Sequence, residues 1–216
     1  MPSLLTFDVA GPAGRLEAQL DLPDGPPRGA ALLCHPHPLH GGTMHTHAVF
    51  RAMRALRARG HAVLRFNFRG VGRSEGTHGA GVGEREDARA ALDALRRRYS
   101  SVPVICGGFS FGAWVGLAVG AQERTDGLLG LGLPCRLYSL PELAETTRPT
   151  ALVQAERDDF CSSPEIRALV MHLTQPARLW IVPGTTHLFT EALGAYEDVV
   201  GEAADWLALT AGALSS

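Results

Sequence analysis

The chain has 216 residues, 45% of them hydrophobic, enough for one sizeable α/β core and short of two comfortable domains. With 20 basic residues against 22 acidic ones the formal net charge is -2, so no cationic excess exists to bind nucleic acid or an anionic membrane surface by counterion release. Every basic residue is Arg, which excludes Schiff-base lysine chemistry. The start, Met1 to Asp8, lacks the positive region and long apolar run of a secretory signal, and no later apolar stretch is long and unbroken enough to span a bilayer. A soluble, cytoplasmic protein is expected. Its cysteines, Cys34, Cys106, Cys135 and Cys161, show no CxxC spacing and are read as four reduced thiols.

In chain order, Leu4 to Val9 and Arg15 to Leu20 read as strands joined about Gly11-Pro12-Ala13-Gly14, a connection short enough for an antiparallel hairpin. A Pro- and Gly-rich loop leads to the continuous apolar strand Gly29 to Cys34, which runs into His35-Pro36-His37-Pro38-Leu39-His40-Gly41-Gly42. From about Met44 to Arg59, Ala48, Ala52, Ala55 and Leu56 follow helical spacing, and Gly60 closes the helix. The next strand is His61 to Phe68, with Arg69 to Gly76 as a Gly-rich exit, and the helix Glu84 to Tyr99 carries Ala88, Ala91, Leu92 and Leu95 on one face. Further on, the short buried strands Gly127 to Leu133 and Thr150 to Gln154 are separated only by Pro134 to Pro149, room for a loop and one helical turn. Ser163, Pro164 and Glu165 mark a helix start with Ser163 at the cap, ending near Leu173. Arg178 to Val182 is the last strand, and Glu191 to about Ala211 is a closing amphipathic helix. This alternation predicts right-handed βαβ crossovers and a mostly parallel sheet led by two antiparallel strands.

One stretch organises the rest. From Val102 an apolar strand rich in β-branched residues enters, Gly107-Gly108-Phe109-Ser110-Phe111-Gly112 turns the chain, and an Ala-, Val- and Leu-rich helix leaves. A Ser in a GxSxG pattern between strand and helix sits on a tight, strained turn that pushes its hydroxyl out of the sheet. The amide of Phe111 opens a helix N-terminus beside it, ready to meet a developing oxyanion. The competing reading is a Gly-rich turn carrying a solvated serine; the strand before and helix after the motif favour the nucleophile.

On His35 to Gly42, Arg65-Phe-Asn-Phe-Arg-Gly-Val-Gly-Arg-Ser-Glu-Gly76, Gly107 to Gly112, Ala155-Glu-Arg-Asp-Asp159 and Gly184-Thr-Thr-His-Leu-Phe189, nearly the whole chain resembles the α/β-hydrolase superfamily. The similarity is to its small lidless bacterial members of the dienelactone-hydrolase-like kind. The resemblance implies an α/β-hydrolase fold as one domain over residues 1–216: an eight-stranded, mostly parallel sheet with an antiparallel second strand, helices on both faces, no lid, and a Ser, Asp, His triad in that order. It departs at Ala155, where many relatives have Gly, at Asn67, where many have Asp, and at Pro36, where the commoner oxyanion loop begins with Gly.

A serine hydroxyl needs a base, and the base needs a partner that fixes its tautomer. His187, in a loop after the last strand, is the expected base, against the alternative of a surface-loop histidine. The family pattern names Asp158 rather than Asp159 as the acid, and position in the loop makes His37 the second backbone oxyanion donor beside Phe111. His35, His37, His40, His45 and His47 could suggest a metal site, but the segment carries no acidic ligands and two prolines, so no metal and no cofactor is expected. Arg69 and Ser74 could suggest phosphate binding; without Walker or GxGxxG spacing the loop reads as a turn held by Arg69. Phe111 and Phe189 are candidate acyl-pocket walls. The expected activity is hydrolysis of a small-molecule ester or thioester of short acyl chain through an acyl-enzyme. The alternatives are a peptidase, thioesterase or lactonase variant of the same chemistry, a Cys nucleophile of the dienelactone hydrolase kind being absent at Ser110, and a noncatalytic binding or scaffolding relative of the fold.

Overall fold

The computed structural model of the chain describes residues 4–214. Eight strands form one sheet: β1 (Leu4–Gly11), β2 (Gly14–Asp21), β3 (Gly29–Cys34), β4 (His61–Phe66), β5 (Val104–Phe109), β6 (Gly127–Leu131), β7 (Thr150–Arg157) and β8 (Ala177–Thr186). The helices are α1 (His47–Ala58), α2 (Val82–Arg98), α3 (Phe111–Gln122), α4 (Glu142–Glu145), α5 (Ser163–Met171) and α6 (Leu193–Leu214). The strand order is β1-β2-β4-β3-β5-β6-β7-β8, with β2 antiparallel to both neighbours and the pairs from β4 to β8 all parallel. The chain lays β4 on one side of β3 and β5 on the other, so the order reverses at β3, and the crevice at the carboxyl ends of β3 and β5 is where open α/β sheets collect ligands.

The central strands are buried throughout because helices cover both faces. Alternate residues divide between them: Ala31, Leu33, Val63, Leu129 and Val153 pack with α1 and α6, and Ala30, Leu32, Leu64, Val104 and Cys106 pack with α2 and α3. A third cluster of Leu128, Leu133, Leu143, Leu152, Cys161 and Ile166 closes the α4 and α5 side. Between β6 and β7 the four-residue α4 is the only helix, too small to form a lid.

Two expectations need correction. The cap of α5 is Ser162, whose side chain meets the third-residue amide while Glu165 reaches back to the Ser162 amide; the sequence offers two adjacent serines, and the reciprocal box selects the one three residues before Glu165. The cysteines are not all reduced. Cys34 and Cys106 are buried free thiols, but Cys135 and Cys161 form a disulfide. They lie on the exit loops of the paired parallel strands β6 and β7, which bring their Cα atoms to 5.2 Å despite 26 residues of separation, a proximity that no local spacing encodes.

Candidate active site

Ser110, Asp158 and His187 are each the first residue beyond a strand, β5, β7 and β8, so the parallel sheet delivers all three to one edge. Ser110 has φ 57° and ψ -123°, a conformation sparsely populated for any residue with a side chain. The turn is held because β5 and α3 approach too closely for side chains. A Cβ on Gly112 would strike the Cys34 carbonyl oxygen, and one on Gly108 would lie 2.5 Å from the carbonyl oxygens of Cys34 and Gly112. Ser110 Oγ lies 2.8 Å from His187 Nε2, and His187 Nδ1 lies 2.8 Å from Asp158 Oδ2. Both His187 and Asp158 are buried, while Ser110 is half-buried.

Asp158 is held on three sides. Its Oδ1 accepts the Phe160 amide at 2.9 Å, and its Oδ2 accepts both His187 and the Gln154 side-chain amide at 2.8 Å. Asp159 is exposed, and its backbone carbonyl accepts Arg136 Nη1 at 2.8 Å. The register explains the aim of this segment: opposite the step from Ala155 to Arg157, β8 advances from Val182 to Thr186, and Glu156 and Arg157 bind the extra backbone at Gly184.

Across the crevice, the loop after β3 carries His37 to the cavity, where its ring lies 4.8 Å from that of Phe111. Phe111 is the first residue of α3, so its amide has no partner within the helix. The loop is pinned at Met44, whose amide donates to Asn67 Oδ1 at 2.9 Å and whose carbonyl accepts Arg65 Nη1 at 2.8 Å. His35 ties its start to the segment just after β4: Nδ1 donates to the Pro36 carbonyl at 2.6 Å and Nε2 accepts the Phe68 amide at 3.0 Å. Burial pushes the His35 imidazole down from 6.5 to about 4. Between those values the unfolded chain binds the proton and the folded one does not, so this contribution is complete above pH 6.5 and is lost as pH falls toward 4. It amounts to roughly 3 kcal/mol. Urea unfolding should show stability dropping between pH 7 and 4.5, with a smaller drop in His35→Gln.

A cavity of about 580 Å³ opens over Ser110, walled by His37, Phe111, Leu137, Tyr138, Phe160 and Leu188. Phe189, expected as a wall, is fully buried behind the site, stacks on Tyr196 at 4.3 Å between centroids and packs in the core with α1 and α6. The histidines of the 35–47 segment diverge: His35 is structural, His37 and His40 border the cavity, and His45 and His47 are exposed. Arg69 does hold its turn, through a two-nitrogen pairing with the buried Asp87 of α2. Sequence reasoning missed Gln154, Phe160, Leu137, Tyr138 and Leu188. Gln154 had a signal, a polar amide within the buried run of β7, which demands a partner. The others had none, because a loop residue's reach depends on loop conformation.

Residues 26–133 match the family described as serine aminopeptidase, S33. Protein RP471 of Rickettsia prowazekii (strain Madrid E) is 35% identical over 189 residues, spanning 83% of this chain and 79% of that protein. The chain belongs to the α/β-hydrolase superfamily. Two solved structures are similar to this chain over almost their full length. An α/β serine hydrolase homologue from Coxiella burnetii has TM-score 0.87 and 32% identity, covering 92% of this chain and 96% of that one. A serine hydrolase without a lid from Xanthomonas campestris has TM-score 0.87 and 29% identity, covering 94% of each. The chain's departure at Asn67 has a local reason: Asn67 Nδ2 donates to Glu17 Oε2 at 2.8 Å, where an Asp would set two carboxylates against each other. Among the described residues no helix is long and apolar enough to cross a membrane.

Proposed function

We propose that residues 1–216 work as one domain that hydrolyses carboxylic esters or thioesters of small, short-acyl substrates. The reading rests on the continuous hydrogen-bonded chain from Ser110 Oγ through His187 to Asp158 at the floor of an open, largely apolar cavity. Ser110 Oγ attacks the acyl carbon as its proton passes to His187 Nε2, and Asp158 stabilises the imidazolium. The amides of Phe111 and His37 receive the oxyanion, aided by the positive end of α3. Collapse transfers the His187 proton to the leaving alcohol or thiol and leaves an acyl-Ser110. A water, deprotonated by His187, then attacks the acyl carbon, and Ser110 recovers its proton as the acid leaves. No metal or organic cofactor enters these steps.

Burial holds the nearby His37 imidazole below its usual range, helped by the neighbouring His40 and His78. Among the described residues no Asp or Glu lines the cavity, which leaves a substrate's free α-ammonium without a counter-charge there and favours esters over aminopeptidase substrates. A fluorophosphonate probe tests the reading. It should label the wild type and not Ser110→Ala; an unlabelled wild type would instead support a noncatalytic scaffold.

Chain length should matter. A methylene buried in the cavity contributes about 0.8 kcal/mol, one left in water contributes nothing, and among the described residues no lid extends the apolar wall. Nitrophenyl butyrate should therefore have a higher kcat/KM than nitrophenyl palmitate. An optimum at long chains, or activation by a lipid interface, would overturn this.

A further inference from the structure

Gln154 is fully buried near the end of β7, four residues before Asp158. Its Oε1 accepts the Leu133 amide at 3.0 Å. Its Nε2 faces three oxygens, Asp158 Oδ2 at 2.8 Å, the Cys161 carbonyl at 3.2 Å and the Leu133 carbonyl at 3.4 Å. This environment assigns the amide orientation, since the reverse would set an oxygen against three oxygens and an N–H against an N–H. Of the bonds available to Nε2, the shortest goes to the carboxylate, the charge-assisted one.

We infer that Gln154 is a positioning residue for Asp158, holding Oδ2 toward His187; the inference rests on the hydrolase reading above. With Phe160 bound to Oδ1, Asp158 has one donor on each oxygen besides the imidazole, so the carboxylate cannot rotate about its last bond without breaking one of them. Gln154 also clasps the exits of two strands. Leu133 follows β6 and Cys161 follows β7, and the same two exits are joined by the Cys135 to Cys161 disulfide. The acid loop is thereby fixed to the loop that carries Leu137 and Tyr138 into the cavity wall. A Gln needed only to satisfy its own burial would serve as well with its donors on the two carbonyls alone.

The test is a double-mutant cycle on a nitrophenyl ester. Gln154→Met should lower kcat by about 10- to 50-fold with KM changed less than about twofold, and in an Asp158→Ala background it should cost less than about threefold, because it acts through Asp158. An unchanged kcat, or the same loss in both backgrounds, would overturn the inference. Should near-UV circular dichroism show Gln154→Met misfolded, Gln154→Glu decides, since it keeps the acceptor for Leu133. Its kcat/KM relative to wild type should fall as pH rises and the two carboxyls can no longer share a proton, and a flat ratio would overturn the role. One readout is independent of hydrolysis. The low-field proton resonance of the His187 N–H bonded to Asp158 should be broadened in Gln154→Met, and an unchanged resonance would count against positioning. Wild-type activity that survives Ser110→Ala would sink the hydrolase reading alone, leaving the resonance to judge Gln154.

Discussion

Replacing Asp158 with Asn should lower kcat by about four orders of magnitude. Asp159→Asn should leave kcat within about tenfold of wild type. An Asn at 158 fits the space but meets three donors, Phe160 N–H on one side and Gln154 and His187 on the other. If its oxygen turns to Phe160, its NH₂ faces the imidazole, and His187 must take the tautomer that points an N–H at Ser110 and cannot accept the hydroxyl proton. If its oxygen turns to His187, the tautomer survives but the negative charge that stabilises the imidazolium is gone, and the NH₂ clashes with the Phe160 amide. Neither orientation restores the wild-type arrangement. Asp159 is exposed and tied to Arg136 only through its backbone carbonyl, so its side chain has nothing comparable to lose. Steady-state kinetics of the two variants on one ester provide the check. The reverse ranking would transfer the acid role to Asp159, and two mild effects would remove it from both.

Arg65→Met should destabilise the fold by about 3 to 5 kcal/mol. Arg65 is almost fully buried and binds Asp21 Oδ2 through Nε at 3.0 Å and Nη2 at 2.8 Å, while Nη1 holds the Met44 carbonyl. Met supplies the bulk but leaves a buried carboxylate without its partner and a carbonyl without its donor. In a chain of this size the loss corresponds to roughly 6 to 20 °C in Tm. Asp21→Asn in the Arg65→Met background should recover part of it by removing the stranded charge. Thermal and urea unfolding measure both. A loss below about 1 kcal/mol would rank this pair with half-exposed ones such as Arg15 with Asp8, whose partners stay hydrated.

Much of the architecture was legible because its causes are local. The β3 run Gly29–Cys34 is bounded by a Pro-rich loop on one side and the His-Pro segment on the other, and its continuous apolar character already marks a strand covered on both faces. The GxSxG turn was legible for the same reason: Gly108 and Gly112 are demanded by the backbone geometry that displays Ser110, and that demand is written within five residues. His187 stood out as the histidine just past the last strand. Asp158 and Asp159 could be ranked only by family pattern, because adjacent residues in a turn have no periodicity to separate them.

By itself, then, the sequence determined the order of strands and helices, the sharp turn at Ser110 and a short list of side chains that could act with it, since sterics and hydrophobic periodicity operate over a few neighbouring residues. Tertiary structure alone decided which distant groups meet. Pairing β6 with β7 joined Cys135 to Cys161 and set Gln154 against Leu133, and the bulged register of β7 and β8 brought Asp158 under His187. Phe189 packs on Tyr196 in the core, and Leu137, Tyr138 and Phe160 wall the cavity instead. Those contacts depend on strand order and loop conformation, which are fixed by the sum of the packing across the sheet, and no window of the chain short enough to show a pattern contains both partners.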